Sequence, residues 1–288
     1  MRVVLIGRGR MGGAIARGFR EAGVPFVAVA GRGGVRAWKR ARGDSGATLW
    51  MLAVTDSAVA GVCETLVAGR LVRRGDAVVH FAGMLGPEVL ASAREAGARV
   101  GSLHPLVAVA DPKRPPSLAH AALSFEGDGA LVRALRRVFA RTGATVHRIT
   151  GVDRARYHAA AALSATGAVA IAQGTAALLR RSARGVDERA IRAFARSLIE
   201  SAAHNVFVAG PARALASPLM RGDTAAVQRH LESMKAVPRA RELYAAALHQ
   251  VLETLERERS VDPRVVREGR RIARAARNGA SLQRRKKN

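Results

Sequence analysis

One cysteine, Cys63, is all the thiol chemistry this 288-residue chain has. No intrachain disulfide can form, and a reducing, cytoplasmic setting is the expectation. Aromatic residues are sparse at 4%, while hydrophobic residues make up 49%, a balance that fits an α/β protein rich in Ala, Val and Leu. Lysine is scarce as well: five of the 48 basic residues, against 22 acidic ones, for a net charge of +26. Heavy arginine use beside many alanines is what a GC-rich genome produces whatever the function. The arginines are spread through every segment, without the basic stripe and interleaved aromatics of a nucleic-acid-binding face. A signal-peptide core is not expected, because Val3–Ile6 is too short and runs into arginines. Only Tyr157–Leu179 invites a membrane reading; it is mostly Ala, Gly, Ser and Thr with Gln173 inside, which suits a buried helix better than lipid. Acidic residues are absent after Glu268, where eight basic residues follow. Residues 269–288 read as a solvated, frayed tail, with non-specific contact to RNA, DNA or acidic lipid as the alternative.

What is present in the first half is alternation. Apolar runs at Val3–Ile6, Phe26–Ala30, Leu49–Val54, Ala77–Phe81, Val100–Leu103, Ala122–Phe125 and Thr145–Ile149 read as strands. Periodic segments such as Gly13–Ala22 and Ser57–Ala68 between them read as helices. Continuous apolar strands separated by helices predict a doubly wound α/β domain over residues 1–150.

Within it, Gly7-Arg8-Gly9-Arg10-Met11-Gly12 falls in the first strand-to-helix turn. There the first glycine permits a tight turn, the second lets amides approach a diphosphate, and the third lets helix and strand pack closely. Gly7, Arg8, Gly9, Arg10, Met11 and Gly12 are therefore candidate cofactor residues, with the helix N-terminus facing the anion. At the end of the second strand an NAD-binding protein usually carries a carboxylate. The chain instead reads Val29-Ala30-Gly31-Arg32-Gly33-Gly34, and Arg32 offers a fork suited to a 2′-phosphate, with Arg36 and Lys39 nearby. NADP is the expected cofactor, the alternative being that Arg32 is one more arginine in an arginine-rich chain. Val54 and Thr55, closing the third strand, should line the cofactor, and Asp56 or Ser57 should cap the next helix.

His80 and His104 sit at further strand ends, either of them a proton donor or an orienting group. No Cys/His/carboxylate cluster has metal-ligand spacing, so no metal is expected. Cys63 reads as a packed thiol.

After Thr150 the strand pattern stops. Helices are predicted over 153–182 and Asp187–Val208, then from Thr224 with Asp223 as cap, and over Arg239–Glu258, giving an all-α second domain over 151–268. A helix as apolar all round as Tyr157–Leu179 must be buried in this domain or against a twin subunit, so a homodimer through the helical domain is expected.

The opening IGRGRMGGAIARG resembles pyrroline-5-carboxylate reductase and other Rossmann dehydrogenases with a helical second domain. Across nearly the whole chain, VVHFAG, GSLHPL, Tyr157-His158-Ala-Ala-Ala and SPLMRGDTAAVQRHL resemble the Rossmann-like proteins carrying domain of unknown function 2520. That resemblance implies an NADP-dependent oxidoreductase fold and points to His80, His104, Tyr157, His158, Arg221 and Asp223 around the site. It also marks a departure, since Thr166 stands where the family usually has Asn and cannot present an amide.

On these grounds His158 is the first candidate for the catalytic proton, early on a helix expected to line an interdomain cleft, and His104 the second. A polar cap on a buried helix is the other reading of His158. His80, Tyr157, Thr166 and Arg221 are candidate substrate contacts, with Arg221 either clamping a substrate carboxylate or pairing with Asp223. The expected function is hydride transfer between NADPH and a small carbonyl or imine, an anionic one by preference. The alternative is a non-catalytic regulatory protein that senses NADP(H).

Overall fold

The computed structural model describes residues 1–31, 34–44, 46–183 and 185–285, with backbone alone for 278–285. The chain divides into two compact units, residues 1–163 and 164–288.

The first unit is a seven-stranded sheet. Its elements run β1 (Arg2–Ile6), α1 (Arg10–Glu21), β2 (Val27–Val29), α2 (Gly34–Arg42), β3 (Thr48–Leu52), α3 (Val59–Ala68), β4 (Ala77–His80), α4 (Ala91–Glu95), β5 (Arg99–Pro105), β6 (Ala122–Gly127), α5 (Leu131–Ala140) and β7 (Thr145–Arg148). The strand order is β2-β1-β3-β4-β5-β6-β7. Every neighbouring pair is parallel except β5 with β6. All seven strands read from the sequence are present, and the order reverses between β1 and β3, the switch point where ligands of such sheets bind.

Alternation along the strands splits the core into two layers. Val3, Leu5, Leu49, Met51, Val79 and Leu103 pack on one face with Ile15 and Phe19 of α1 and Phe139 of α5. Val4, Ile6, Trp50, Leu52, Val78 and Val100 pack on the other with Trp38 of α2, and with Val59, Cys63 and Leu66 of α3. Cys63 is buried, as a packed thiol should be. At the opposite edge from the switch-point loops, Asp76 accepts the amides of Thr48 (2.8 Å) and Arg73 (2.9 Å) and faces the buried Arg42 guanidinium at 3.4 Å.

Sixteen residues, 106–121, separate β5 from β6. This segment straps over α1: Arg17 donates to the Pro115 carbonyl at 2.8 Å, and Leu118 is seated where a side chain at Gly18 would stand.

α6 (Arg154–Ser182) crosses from the first unit into the second, which continues with α7 (Glu188–Ala209), α8 (Thr224–Ser233), α9 (Pro238–Arg257) and α10 (Pro263–Arg285). Asp187 caps α7 by accepting from Ala190, and Asp223 caps α8 by accepting from Ala226. Leu219, Val227, Leu231, Leu248 and Leu252 form the core of this unit with Ile272 and Ala273 of α10.

Two expectations are corrected. The division falls at 163, not 150, because the first turns of α6 are tied to the sheet by Arg154 and Tyr157. Residues 269–288 do not form a separate frayed tail over the part described: α10 continues to Arg285 and buries Ile272, Ala273 and Ala276. Within one chain α6 has no buried residue, although it is long and apolar enough to cross a membrane by length and composition, so of the two places expected to bury it the twin subunit remains. Its alanines and glycines leave little side chain for neighbours in one chain to cover.

Candidate functional site

Between β1 and α1 the chain makes the tight turn that the glycines foretell. Gly7 has φ +114°, where L side chains are strained, and a Cβ on it would come within 2.2 Å of the Ala53 carbonyl oxygen. A Cβ on Gly12 would come within 2.3 Å of the Gly7 carbonyl oxygen. Gly9 differs: nothing lies within 4 Å of where its Cβ would be. It is the N-cap of α1, yet no side chain caps that helix and no acidic residue sits in its first turn. The first amides of α1 thus open toward a space with the positive end of a helix dipole behind them.

That space is a cleft of about 820 Å³ lined by Gly7, Arg8, Gly9, Arg10, Met11, Ala30, Gly31, Ala53, Val54, Thr55, Ala58 and Val62. Its size lies in the range of small-molecule sites. Of the residues singled out in the sequence, Gly7, Arg8, Gly9, Arg10, Met11, Val54 and Thr55 are on its wall, and Gly12 packs beneath it. Arg32 lies outside the described residues, and Arg36 and Lys39 are exposed on α2. Ala30, Gly31, Ala53, Ala58 and Val62 were not anticipated. Strand-end position marks the first three, but the turn of helix after Thr55 that brings Ala58 and Val62 to the wall has no sequence signature. Asp56 and Ser57 do not cap it: the turn Asp56–Ala58 has no side-chain cap, and neither has α3.

A second cluster stands at the ends of β4 and β5. His104 and Ser124 are register partners across the antiparallel β5–β6 pair. The Tyr157 hydroxyl, on the first turn of α6, lies 3.0 Å from His104 Nδ1 and 2.6 Å from Ser124 Oγ. His158 follows, exposed, with its ring centroid 6.3 Å from that of His104. Both imidazoles close onto Gly83, where a Cβ would come within 2.9 Å of His104 and 3.1 Å of His158. Arg154, one turn earlier, is paired with Glu126 of β6. Burial, then His158 and Arg154, lower the pKa of His104 below the ordinary imidazole value, against a smaller opposite pull from Asp56. Sequence reasoning missed Ser124, because it becomes visible only once β6 is known to run antiparallel.

His80 is placed differently from the expected substrate contact. It is fully buried. Its Nε2 lies 3.0 Å from the Gly86 carbonyl and its Nδ1 accepts the Ala82 amide at 3.2 Å, so Nε2 carries the proton. Desolvation lowers its pKa. With both nitrogens committed to backbone, His80 shapes the 81–86 loop that carries Gly83 and has none left for a substrate. Tyr157 likewise spends its hydroxyl on Ser124 and His104. In the second unit Thr166 is exposed on α6, and Arg221 is exposed at the end of the turn Pro218–Arg221. Asp223 does not pair with Arg221; it caps α8 and faces Arg229 at 3.9 Å.

Residues 1–105 match the family model of a Rossmann-like domain, and residues 121–251 match that of a domain of unknown function, DUF2520. The two matches lie on either side of residues 106–120. The DUF2520 match begins at β6 and so crosses from the first unit into the second. The second cluster is accordingly composite, with Gly83 and His104 from the segment that matches the Rossmann-like model and Ser124, Tyr157 and His158 from the segment that matches the DUF2520 model. No curated protein matches the chain. Among solved structures, protein TM1727 from Thermotoga maritima is similar at a TM-score of 0.60 and 20% identity, over 89% of this chain and 99% of that one. The Plasmodium falciparum pyrroline carboxylate reductase with NADP bound is similar at a TM-score of 0.58 and 10% identity, over 95% and 98%. A Streptomyces aurantiacus imine reductase is similar at 0.52 and 16%, over 98% and 95%. These likenesses show that the Rossmann-like and DUF2520 segments share a fold with all three.

Proposed function

We propose that the protein is an NADP-dependent oxidoreductase that moves hydride between NADPH and a small carbonyl or imine substrate. The observation that carries this reading is the uncapped start of α1 opening beside Gly9 into the cleft at the sheet's switch point. The residues present fit a dinucleotide. Gly7, Gly9 and Gly12 would hold the turn around a diphosphate, Arg8 and Arg10 would meet its charge, and Ala30, Gly31, Val54, Thr55 and Val62 would wall the rest. Arg32 is proposed to receive the 2′-phosphate. When bound, such a dinucleotide supplies the hydride; orientation and proton handling fall to the chain. His104 and His158 are proposed to face the reacting group. The NADP of the Plasmodium reductase and the imine reductase activity named for the Streptomyces protein support this class of cofactor and substrate.

Fluorescence titration tests the cofactor. NADPH is expected to bind at least about tenfold more tightly than NADH, the worth of one charge-assisted hydrogen bond, with Arg32→Ala removing the difference. Equal affinities would overturn the phosphate assignment. Turnover of NADPH with a panel of keto acids and cyclic imines tests the reaction. His158→Ala should abolish it and leave NADPH binding intact, whereas tight binding with no turnover across the panel would favour the regulatory reading.

The protein is further proposed to be a homodimer through α6 and α7. Large apolar side chains crowd these helices in solvent: Leu163 is 75% exposed, Leu198 58% and Phe207 87%. Exposure on that scale marks an interface more often than a free surface.

A further inference from the structure

Tyr157 has one hydroxyl proton and two neighbours within hydrogen-bond range, Ser124 Oγ and His104 Nδ1. An imidazole nitrogen is a much stronger acceptor than an alcohol oxygen, and a phenol is a better donor than an alcohol. The phenol proton therefore goes to Nδ1, and Ser124 donates its own proton to the phenol oxygen. Both distances suit this order, the shorter to an O–H···O bond and the longer to an O–H···N bond. A neutral imidazole that accepts at Nδ1 carries its proton on Nε2. That nitrogen is the one lying 2.9 Å from the position a Cβ on Gly83 would take, with His158 Cδ2 at 3.1 Å from the same point.

We propose that Ser124 and Tyr157 are positioning residues that fix His104 as the neutral Nε2–H tautomer, so that His104 offers a hydrogen-bond donor to a substrate atom seated beside Gly83 and His158. The proposal rests on the oxidoreductase reading above and narrows it. A donor needs an acceptor, which a carbonyl oxygen or an unprotonated imine nitrogen provides and an iminium does not. The groups that act on His104 favour its neutral form. It is largely buried, and His158 and Arg154 of α6 oppose a second proton; Asp56, after β3, pulls weakly the other way, while Glu126 is engaged by Arg154. A neutral imidazole polarises a carbonyl without becoming an anion. Were NADPH bound, it would supply the hydride to a carbonyl carbon; the Nε2–H of His104 would hold the carbonyl oxygen as the π pair moves onto it, and that oxygen would take its proton from solvent by way of the exposed His158.

Long-range 1H–15N spectra of the imidazoles, assigned with His104→Gln, read the tautomer directly. At pH 7.5 the full-length protein is expected to show His104 with Nε2 protonated and Nδ1 bare. In Tyr157→Phe, which keeps the ring and loses only the hydroxyl, the two signals should move toward an average of both tautomers. Ser124→Ala should keep the Nε2–H form, since the phenol can still donate. Nδ1 protonated in the unaltered protein, or a pattern unmoved by Tyr157→Phe, overturns the proposal. Thermal melts of each variant confirm folding. NADPH titration of the same samples is a separate readout, and failure to bind it sinks the oxidoreductase reading while the tautomer is decided by the spectra alone. In turnover, Tyr157→Phe should lower kcat about tenfold with the KM for NADPH unchanged, and a loss confined to that KM would again count against the proposal.

Discussion

Gly9 and Gly12 lie three residues apart and should fail for different reasons when given a methyl group. A Cβ on Gly12 runs into the Gly7 carbonyl at 2.3 Å, so Gly12→Ala must shift α1 away from β1, at a cost of about 1–3 kcal/mol. Gly9 has φ −71° and ψ −167°, which alanine adopts freely, and no protein atom near its Cβ position. Gly9→Ala should leave stability within about 0.5 kcal/mol and weaken NADPH at least tenfold, because only a ligand occupies that space. Thermal melts and a cofactor titration on the two variants check both halves. An unchanged NADPH affinity in Gly9→Ala would mean that the turn does not hold a phosphate. This part of the site was legible in the sequence, since three glycines at fixed local spacing determine it. His80 was not. Its strand-end position looks the same on paper as that of His104, and only the fold reveals that the Gly86 carbonyl and Ala82 amide have taken both its nitrogens.

At the scale of elements, strands were read correctly where they are apolar on both faces, and the helix start at Thr224 followed from the capping side chain of Asp223. α10 was misread because arginines at Arg264, Arg267, Arg271 and Arg274 hide a thin apolar stripe of Ile272, Ala273 and Ala276 that packs in the second unit's core. Nothing local betrays the clip between β3 and β4 either. Asp76 joins the start of β3 to the turn before β4 and holds Arg42, with both side chains at most 3% exposed. Arg42 Nε has no partner among the described residues and Nη1 donates to Thr48 Oγ1 at 3.2 Å, so Asp76 supplies the negative charge the buried cation needs. Asp76→Ala should cost about 3–5 kcal/mol by stranding it. Arg42→Met should cost less, about 1.5–3 kcal/mol, since Asp76 keeps two amide donors. Urea unfolding followed by tryptophan fluorescence measures both, and Trp38 and Trp50, the two tryptophans of the chain, lie in the first unit. Equal losses would show that the amide bonds, not the ion pair, carry the stability.

For the whole molecule, the apolar surface of α6 and α7 predicts association. Light scattering after size exclusion should give a dimer at micromolar concentration, and Phe194→Glu with Leu198→Glu, one helical turn apart on α7, should give a folded monomer. A parent protein that is monomeric throughout would refute the assembly. Apart from the eight basic residues after Glu268, the charge of +26 divides without focus along the chain, which is why composition said little about partners.

The reversal of direction between β5 and β6 has a further effect. In a wholly parallel sheet, the rim around a ligand is furnished only by strand finishes and the loops that leave them. Here one strand arrives at that rim as it begins, so Ser124 is delivered by regular backbone held on two sides, by β5 and β7. A hydroxyl placed there inherits the stiffness of the ladder, and natural variants could retune the chemistry by exchanging that one side chain without redesigning a loop.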